Sequence, residues 1–127
     1  MRYLLMVKAD TNGGAASPEL MAAMGKLTED MTKAGVLIDT GGMQASQSAT
    51  SLTLAGGKVT VTDGPFTEAN EVVGGYAIVK VKSKQEAIQL AQNFLDVHAR
   101  IMGPSYLAET EVRRLYSSED FGPGGPQ

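Results

Sequence analysis

The chain opens with a short apolar run, Tyr3-Leu4-Leu5-Met6-Val7, which is too brief for a helix and predicts a strand over Tyr3 to Lys8. Successive strand side chains point to opposite faces, so Tyr3, Leu5 and Val7 share one face and Leu4 and Met6 the other. Both faces are apolar, and such a strand needs cover on both sides. Asn12-Gly13-Gly14 interrupts it. Ser17-Pro18-Glu19 then has the form of a helix start, with a capping hydroxyl, a proline tolerated in the first turn and an acid at the positive helix end. Leu20, Met24, Leu27, Met31 and Ala34 form one apolar face, and Gly35 is placed to stop the helix. Val36 to Thr40 predicts a second strand, followed by an irregular polar stretch from Gly41 to Thr50.

Ser51 to Ala55 and Lys58 to Thr62 alternate around Gly56-Gly57, which predicts a hairpin with a two-residue turn. That loop length pairs Leu54 with Val59 and Leu52 with Val61 on one face, and Thr53 with Thr60 on the other. A connection rich in Gly, Glu and Pro leads to a strand over Tyr76 to Lys82; Val72 and Val73 extend it if Gly74-Gly75 is a bulge. Ser83-Lys84-Gln85-Glu86 is a capping box opening a second helix. Its apolar stripe is Ala87, Ile88, Ala91, Phe94, Leu95 and His98, and Gly103-Pro104 ends it. A last strand spans about Leu107 to Tyr116. Residues 1–118 read as a single domain and 119–127 as a flexible C-terminal tail.

Strand, helix, strand, hairpin, strand, helix, strand is the order of an α+β chain: a ferredoxin-like βαββαβ sheet with an inserted β-hairpin and both helices on one face. The other sheet face would then meet water, against the two-sided apolar character of the first strand. A second copy packed sheet against sheet is the simplest cover, which predicts a homodimer.

Composition narrows the chemistry. With 127 residues, no Cys and no Trp, the chain has no disulfide, thiolate nucleophile or Cys-based zinc site. Eleven Lys and Arg against fourteen Asp and Glu give a net charge of −3, and the cations are scattered, so nucleic acid and anionic membranes are disfavoured as partners. No apolar stretch is long enough for a bilayer span or a secretory signal, which points to a cytoplasmic protein. No resident metal or cofactor is expected.

Asp63-Gly64-Pro65 supplies what a tight turn needs, and it also sets Asp63 where it could act as a general acid or base. His98 is the one histidine, on an apolar helical stripe; the ordinary reading is a buried His bonded to a carbonyl, the alternative an acid/base partner for Asp63. Glu68 and Glu71, three apart, are candidate ligand-binding acids or solvated loop residues. Tyr76 would line a pocket or an interface, and of Arg113 and Arg114 only one can face a cavity; Arg114 is the candidate for a carboxylate ligand.

The segment Asp63-Gly64-Pro65-Phe66-Thr67-Glu68-Ala69-Asn70-Glu71-Val72-Val73-Gly74-Gly75-Tyr76 resembles the signature of the DGPF group of the YCII-related family. The opening strand, the Ser-Pro-Glu helix start, the Gly-Lys-Val hairpin and Glu111-Val112-Arg113 extend the resemblance over about residues 1 to 121. It implies a dimeric α+β barrel in which two ferredoxin-like sheets pack face to face. It also implies a bacterial source. Some members of that family neighbour or are joined to extracytoplasmic-function sigma factors. A related YCII-type enzyme eliminates chloride from a chlorinated aromatic, and a His–Asp pair has been suggested as the active site in other relatives. Asn70 stands where the family usually has Lys, which puts in doubt any role that Lys has in holding an anion. The sequence leads to a homodimer binding a small organic molecule next to the DGPF loop. The alternatives are an isomerase or lyase-type enzyme using Asp63 and His98, and a regulatory protein associated with such a sigma factor.

Overall fold

A computed structural model describes residues 1–9, 17–43, 49–63, 72–104, 106–122 and 125–126. The elements are β1 (Arg2–Ala9), α1 (Pro18–Lys33), β2 (Leu37–Gly42), β3 (Thr50–Ala55), β4 (Lys58–Asp63), β5 (Val72–Lys80), α2 (Lys84–Met102), β6 (Ala108–Arg114), a 3-10 turn (Ser118–Asp120), β7 (Phe121–Gly122) and β8 (Gly125–Pro126).

Four strands form an antiparallel sheet in the order β2-β5-β1-β6. This is the strand order of two interleaved βαβ units, and the α+β, ferredoxin-like expectation holds. Tyr3 and Leu5 of β1 and Ala77 and Val79 of β5 are buried against Met31 of α1 and Ala87, Ala91 and Phe94 of α2. The two helices therefore share one face of the sheet. Leu5 and Val79 are fully enclosed, each stabilising the fold by roughly 1.5–3 kcal/mol on transfer grounds. Among the described residues no helix is long and apolar enough to cross a membrane.

The helix ends form as their residues dictate. Ser17 Oγ accepts from the Leu20 amide at 3.1 Å, and Ser83 Oγ accepts from the Glu86 amide at 3.2 Å. Glu86 returns a bond to the Lys82 amide at 3.0 Å, one residue earlier than a capping box ordinarily reaches.

Two of the sheet strands are irregular. Val7 pairs with Gly75 and Lys8 with Val73, so Gly74 is an extra residue and the Gly74–Gly75 bulge is present. In β2 the register shifts between Leu37 and Asp39, leaving Ile38 exposed. The strand then runs through Gly41 and Gly42, two residues past the sequence expectation. The Gly pair reads locally as a breaker, yet here Gly41 takes its place beside Tyr76 because a Cβ at Gly41 would lie 2.9 Å from the Tyr76 ring. β5 ends at Lys80 rather than Lys82, although the Val81 amide still donates to the Met1 carbonyl at 2.8 Å.

The hairpin β3–β4 has the register its sequence predicts: Leu54 opposite Val59, Leu52 opposite Val61, Thr53 opposite Thr60. Gly56 and Gly57 both take positive φ, 57° and 77°, as a twist-matched two-residue turn requires. The hairpin forms a two-stranded sheet of its own, outside the four-stranded one. At the C-terminus, Ser118–Asp120 forms its turn and β7 pairs with β8, within the stretch expected to be a flexible tail.

Candidate functional site

The topology gathers several chain segments at one end of the sheet. Ala9, at the end of β1, pairs with Val72 at the start of β5 and with Ala108 at the start of β6. The Ser17 hydroxyl, at the start of α1, lies 4.0 Å from the Met102 sulfur at the end of α2. His98 sits one turn before that helix end. β5 therefore begins at the sheet end where His98 lies.

His98 is buried, with 8% of its surface exposed, and its Nδ1 is 2.8 Å from the Phe94 carbonyl oxygen. A carbonyl only accepts, so Nδ1 carries the proton in the neutral ring and the lone pair falls on Nε2. The Tyr106 ring lies nearly parallel to the imidazole, with centroids 5.9 Å apart and planes at 16°. These two contacts fix the ring and leave Nε2 as the nitrogen able to exchange a proton.

On the sheet beneath the helices, Gly42, Gly75, Val7 and Thr110 follow one another across the strands. Two of the four are glycine, so only Val7 and Thr110 present side chains there. Thr110 Oγ1 is buried and has no hydrogen-bond partner among the described residues. α2 packs on β6, which places Thr110 in the same helix–sheet layer as His98.

The other sequence candidates lie elsewhere. Asp63 is exposed at the root of the hairpin, where its Oδ1 accepts from the Thr50 hydroxyl at 2.8 Å. It shares a hairpin face with Leu52, Leu54, Val59 and Val61. Glu68 and Glu71 fall outside the described residues, as does the chain immediately after Asp63.

Tyr76 is on the sheet face turned away from the helices, in line with Met6 of β1. Its hydroxyl donates to Asp39 Oδ2 at 3.0 Å. That bond first, then the Asp39 charge and some desolvation, pushes the phenol above its ordinary value.

Arg114 pairs in register with Tyr3, four residues along β6 from Thr110 and so about 13 Å away. Its guanidinium sits 3.3 Å from both oxygens of Asp120. Asp120 also accepts from the Ser117 amide at 2.6 Å and the Ser117 hydroxyl at 3.1 Å. The amide foremost, then the hydroxyl and Arg114, hold its carboxyl below the ordinary range. Arg113, not Arg114, projects from the open sheet face. There it pairs with Glu111, which also meets Lys8 at 3.4 Å. The Arg113 hydrogen bond, outweighing some desolvation, and after it Lys8 hold the Glu111 carboxyl below its ordinary range.

The six sequence candidates are thus dispersed: His98 in the helix–sheet layer, Tyr76 on the opposite face, Arg114 at the far end, Asp63 on the hairpin, and Glu68 and Glu71 undescribed. Sequence reasoning missed Asp39, Tyr106 and Thr110. Thr110 did leave a signal, as a hydroxyl in phase with Ala108 and Val112 on a covered strand face. Asp39 left none, because its partner depends on the shift at Ile38. A comparison with curated proteins finds no match. The model of the YCII-related domain matches residues 1–99, a stretch that contains Asp63, Tyr76 and His98 and stops short of Thr110 and Arg114. By that match over most of its length, the chain belongs to the YCII-related domain family.

Proposed function

We propose that this YCII-related protein is a homodimer that binds a small organic molecule in the layer between α2 and β6, at the sheet end where β5 begins. One observation carries the binding half: a buried imidazole held at Nδ1 by Phe94 and on its face by Tyr106, with its lone pair on Nε2, in the layer over a strand whose Thr110 hydroxyl is buried and unpaired among the described residues. Buried polar groups ordinarily find partners, and a ligand hydroxyl, donating to Nε2 and accepting from the Thr110 hydroxyl, would serve both. A thermal-shift screen of small phenols and aromatic acids tests this. A hit should lose its shift in His98→Ala and in Thr110→Val, each still folded by circular dichroism. A hit unaffected by both variants places binding elsewhere.

The homodimer is supported by the open face. Its central row reads Asp39, Ile78, Leu4, Arg113 from β2 to β6: acid, two apolar residues, base. A two-fold axis parallel to the strands sets each acid over Arg113 of the partner subunit and brings the apolar middles together. Sedimentation velocity should show that Asp39→Arg or Arg113→Glu alone weakens association and that the double exchange restores it.

A second reading, an isomerase or lyase-type enzyme, is favoured by the His98 tautomer, since Nε2 has the lone pair a general base needs. Deuterium from solvent entering a bound ligand in the wild type but not in His98→Ala would support it; equal incorporation in both would exclude His98.

A further inference from the structure

The four-stranded sheet has two edges, β2 and β6, and they are finished differently. On β2 the Met43 amide donates inward to the Gly74 carbonyl. Inward and outward residues alternate along an antiparallel ladder, so Thr40 turns its backbone N–H away from the sheet. That amide is already taken, because Asp39 Oδ1 accepts it at 2.9 Å. A side-chain acid and the register shift at Ile38 together blunt this edge.

The backbone of β6 has no such guard. Its register against β1 runs unbroken from Ala108 to Arg114, and the strand contains neither Pro nor Gly. The Leu115 amide donates to the Arg2 carbonyl, so Glu109, Glu111 and Arg113 bond inward, while Ala108, Thr110, Val112 and Arg114 turn N–H and C=O outward. Among the described residues these outward groups have no hydrogen-bond partner. Such a row is a template for another strand.

We propose that β6 pairs antiparallel with β6 of a second copy, about a two-fold axis that passes beside Val112 perpendicular to the sheet.

The charges select both the second copy and the register. An axis perpendicular to the sheet keeps each face on its own side, so open-face residues meet open-face residues. Centred on Val112, the pairing sets Glu111 directly opposite Arg113 of the partner subunit, and Arg113 opposite the partner's Glu111. Centred on Thr110 it would oppose Glu109 and Glu111; centred on Glu111 or Arg113 it would oppose a residue and its own copy. The charges that repel a strand in those registers attract one in this register. The backbone agrees, since the outward groups of Val112 then meet those of Val112 of the partner subunit, and those of Thr110 meet those of Arg114 of the partner subunit.

The pairing also relocates a candidate residue. Arg114 lies about 13 Å from Thr110 along its own strand, yet Arg114 of the partner subunit stands across from Thr110 on the helix side, with Cα atoms about 5.5 Å apart. The layer proposed to hold the ligand thereby gains a cation suited to a carboxylate. That consequence rests on the small-molecule reading; the strand pairing does not.

The chain has no cysteine, so introduced ones report single contacts. Glu111→Cys chains mixed with Arg113→Cys chains and treated with oxidised glutathione should form a disulfide between unlike chains. The two positions make a non-hydrogen-bonded pair with Cα atoms about 4.5 Å apart, within disulfide reach. Either variant alone holds its two cysteines about 8 Å apart, beyond that reach, and should link at least tenfold less. The sheet-on-sheet pairing sets Arg113 over Asp39 of the partner subunit and brings neither cysteine to the other, so its failure leaves this result readable. In an Asp39→Arg background, which removes that contact, sedimentation velocity should still show a dimer, and adding Glu111→Arg should raise its dissociation constant about tenfold. Linking no greater in the mixture than in either variant alone, or a monomer throughout the micromolar range in the Asp39→Arg background, overturns the proposal.

Discussion

Replacing Thr110 by Val is the sharpest probe of the helix–sheet layer. The hydroxyl is buried and unpaired among the described residues, with Val7 beside it across the strand pair. Such a group carries an uncompensated desolvation penalty of about 1–3 kcal/mol. Valine keeps the β-branched shape, suits a strand as well as threonine, and replaces the hydroxyl by a methyl group. The ligand-free protein should therefore gain about 1–2 kcal/mol. For a chain of this length, ~4 °C per kcal/mol puts the rise in melting temperature at roughly 4–8 °C. Thr110→Ser, which keeps the hydroxyl and loses the methyl, should melt below the wild type. Calorimetry with urea titration at equal m-value separates a stability change from altered compactness. A Thr110→Val variant melting at or below the wild type would mean the hydroxyl is satisfied and would remove it as a ligand hook. Stabilisation together with loss of ligand response is the combined signature expected of a residue kept for binding at the expense of fold.

Asp39→Asn should bring the Tyr76 phenol back toward its ordinary value, read by ultraviolet titration against the three other tyrosines. The raised value means that stability is fully present below the ordinary phenol range and is lost as pH climbs through the higher folded value, so the Asn variant should lose less on the alkaline side. Gly41→Ala places a methyl group 2.9 Å from the Tyr76 ring; the ring must move off Asp39, with a loss of about 1 kcal/mol and the same fall in phenol titration. Glu111 and Asp120 are both held low, so their contribution is present above the ordinary carboxylate range and disappears as pH drops through their folded values. Melting temperature should consequently depend less on acid pH in Glu111→Gln with Asp120→Asn. Ser83→Ala removes the α2 cap and should cost about 1 kcal/mol in urea unfolding.

Much of the fold was legible because local rules and tertiary demand agree. The Leu54–Val59 pairing follows from turn length and alternation, both properties of neighbouring residues. The bulge at Gly74 was legible because glycine pairs inside a strand have few other uses. The site was less legible. Whether Arg113 or Arg114 meets the open face depends on strand phase against β1, which composition does not carry. His98 on its apolar stripe was visible as buried, but its tautomer follows from one contact with Phe94 and its orientation from Tyr106, across the helix end. Asp39 and Tyr76 are 37 residues apart and meet only because β2 slips at Ile38.

Thr50 and Asp63 face one another across the base of the hairpin, and strand partners stand about 5 Å apart. Excising residues 51–62 and closing the gap with a short turn would leave chain ends that scarcely move, a splice of the sort surface insertions tolerate. The four-stranded scaffold, with its helices and its histidine, would then stand as a minimal protein, and the excised arm as a detachable accessory.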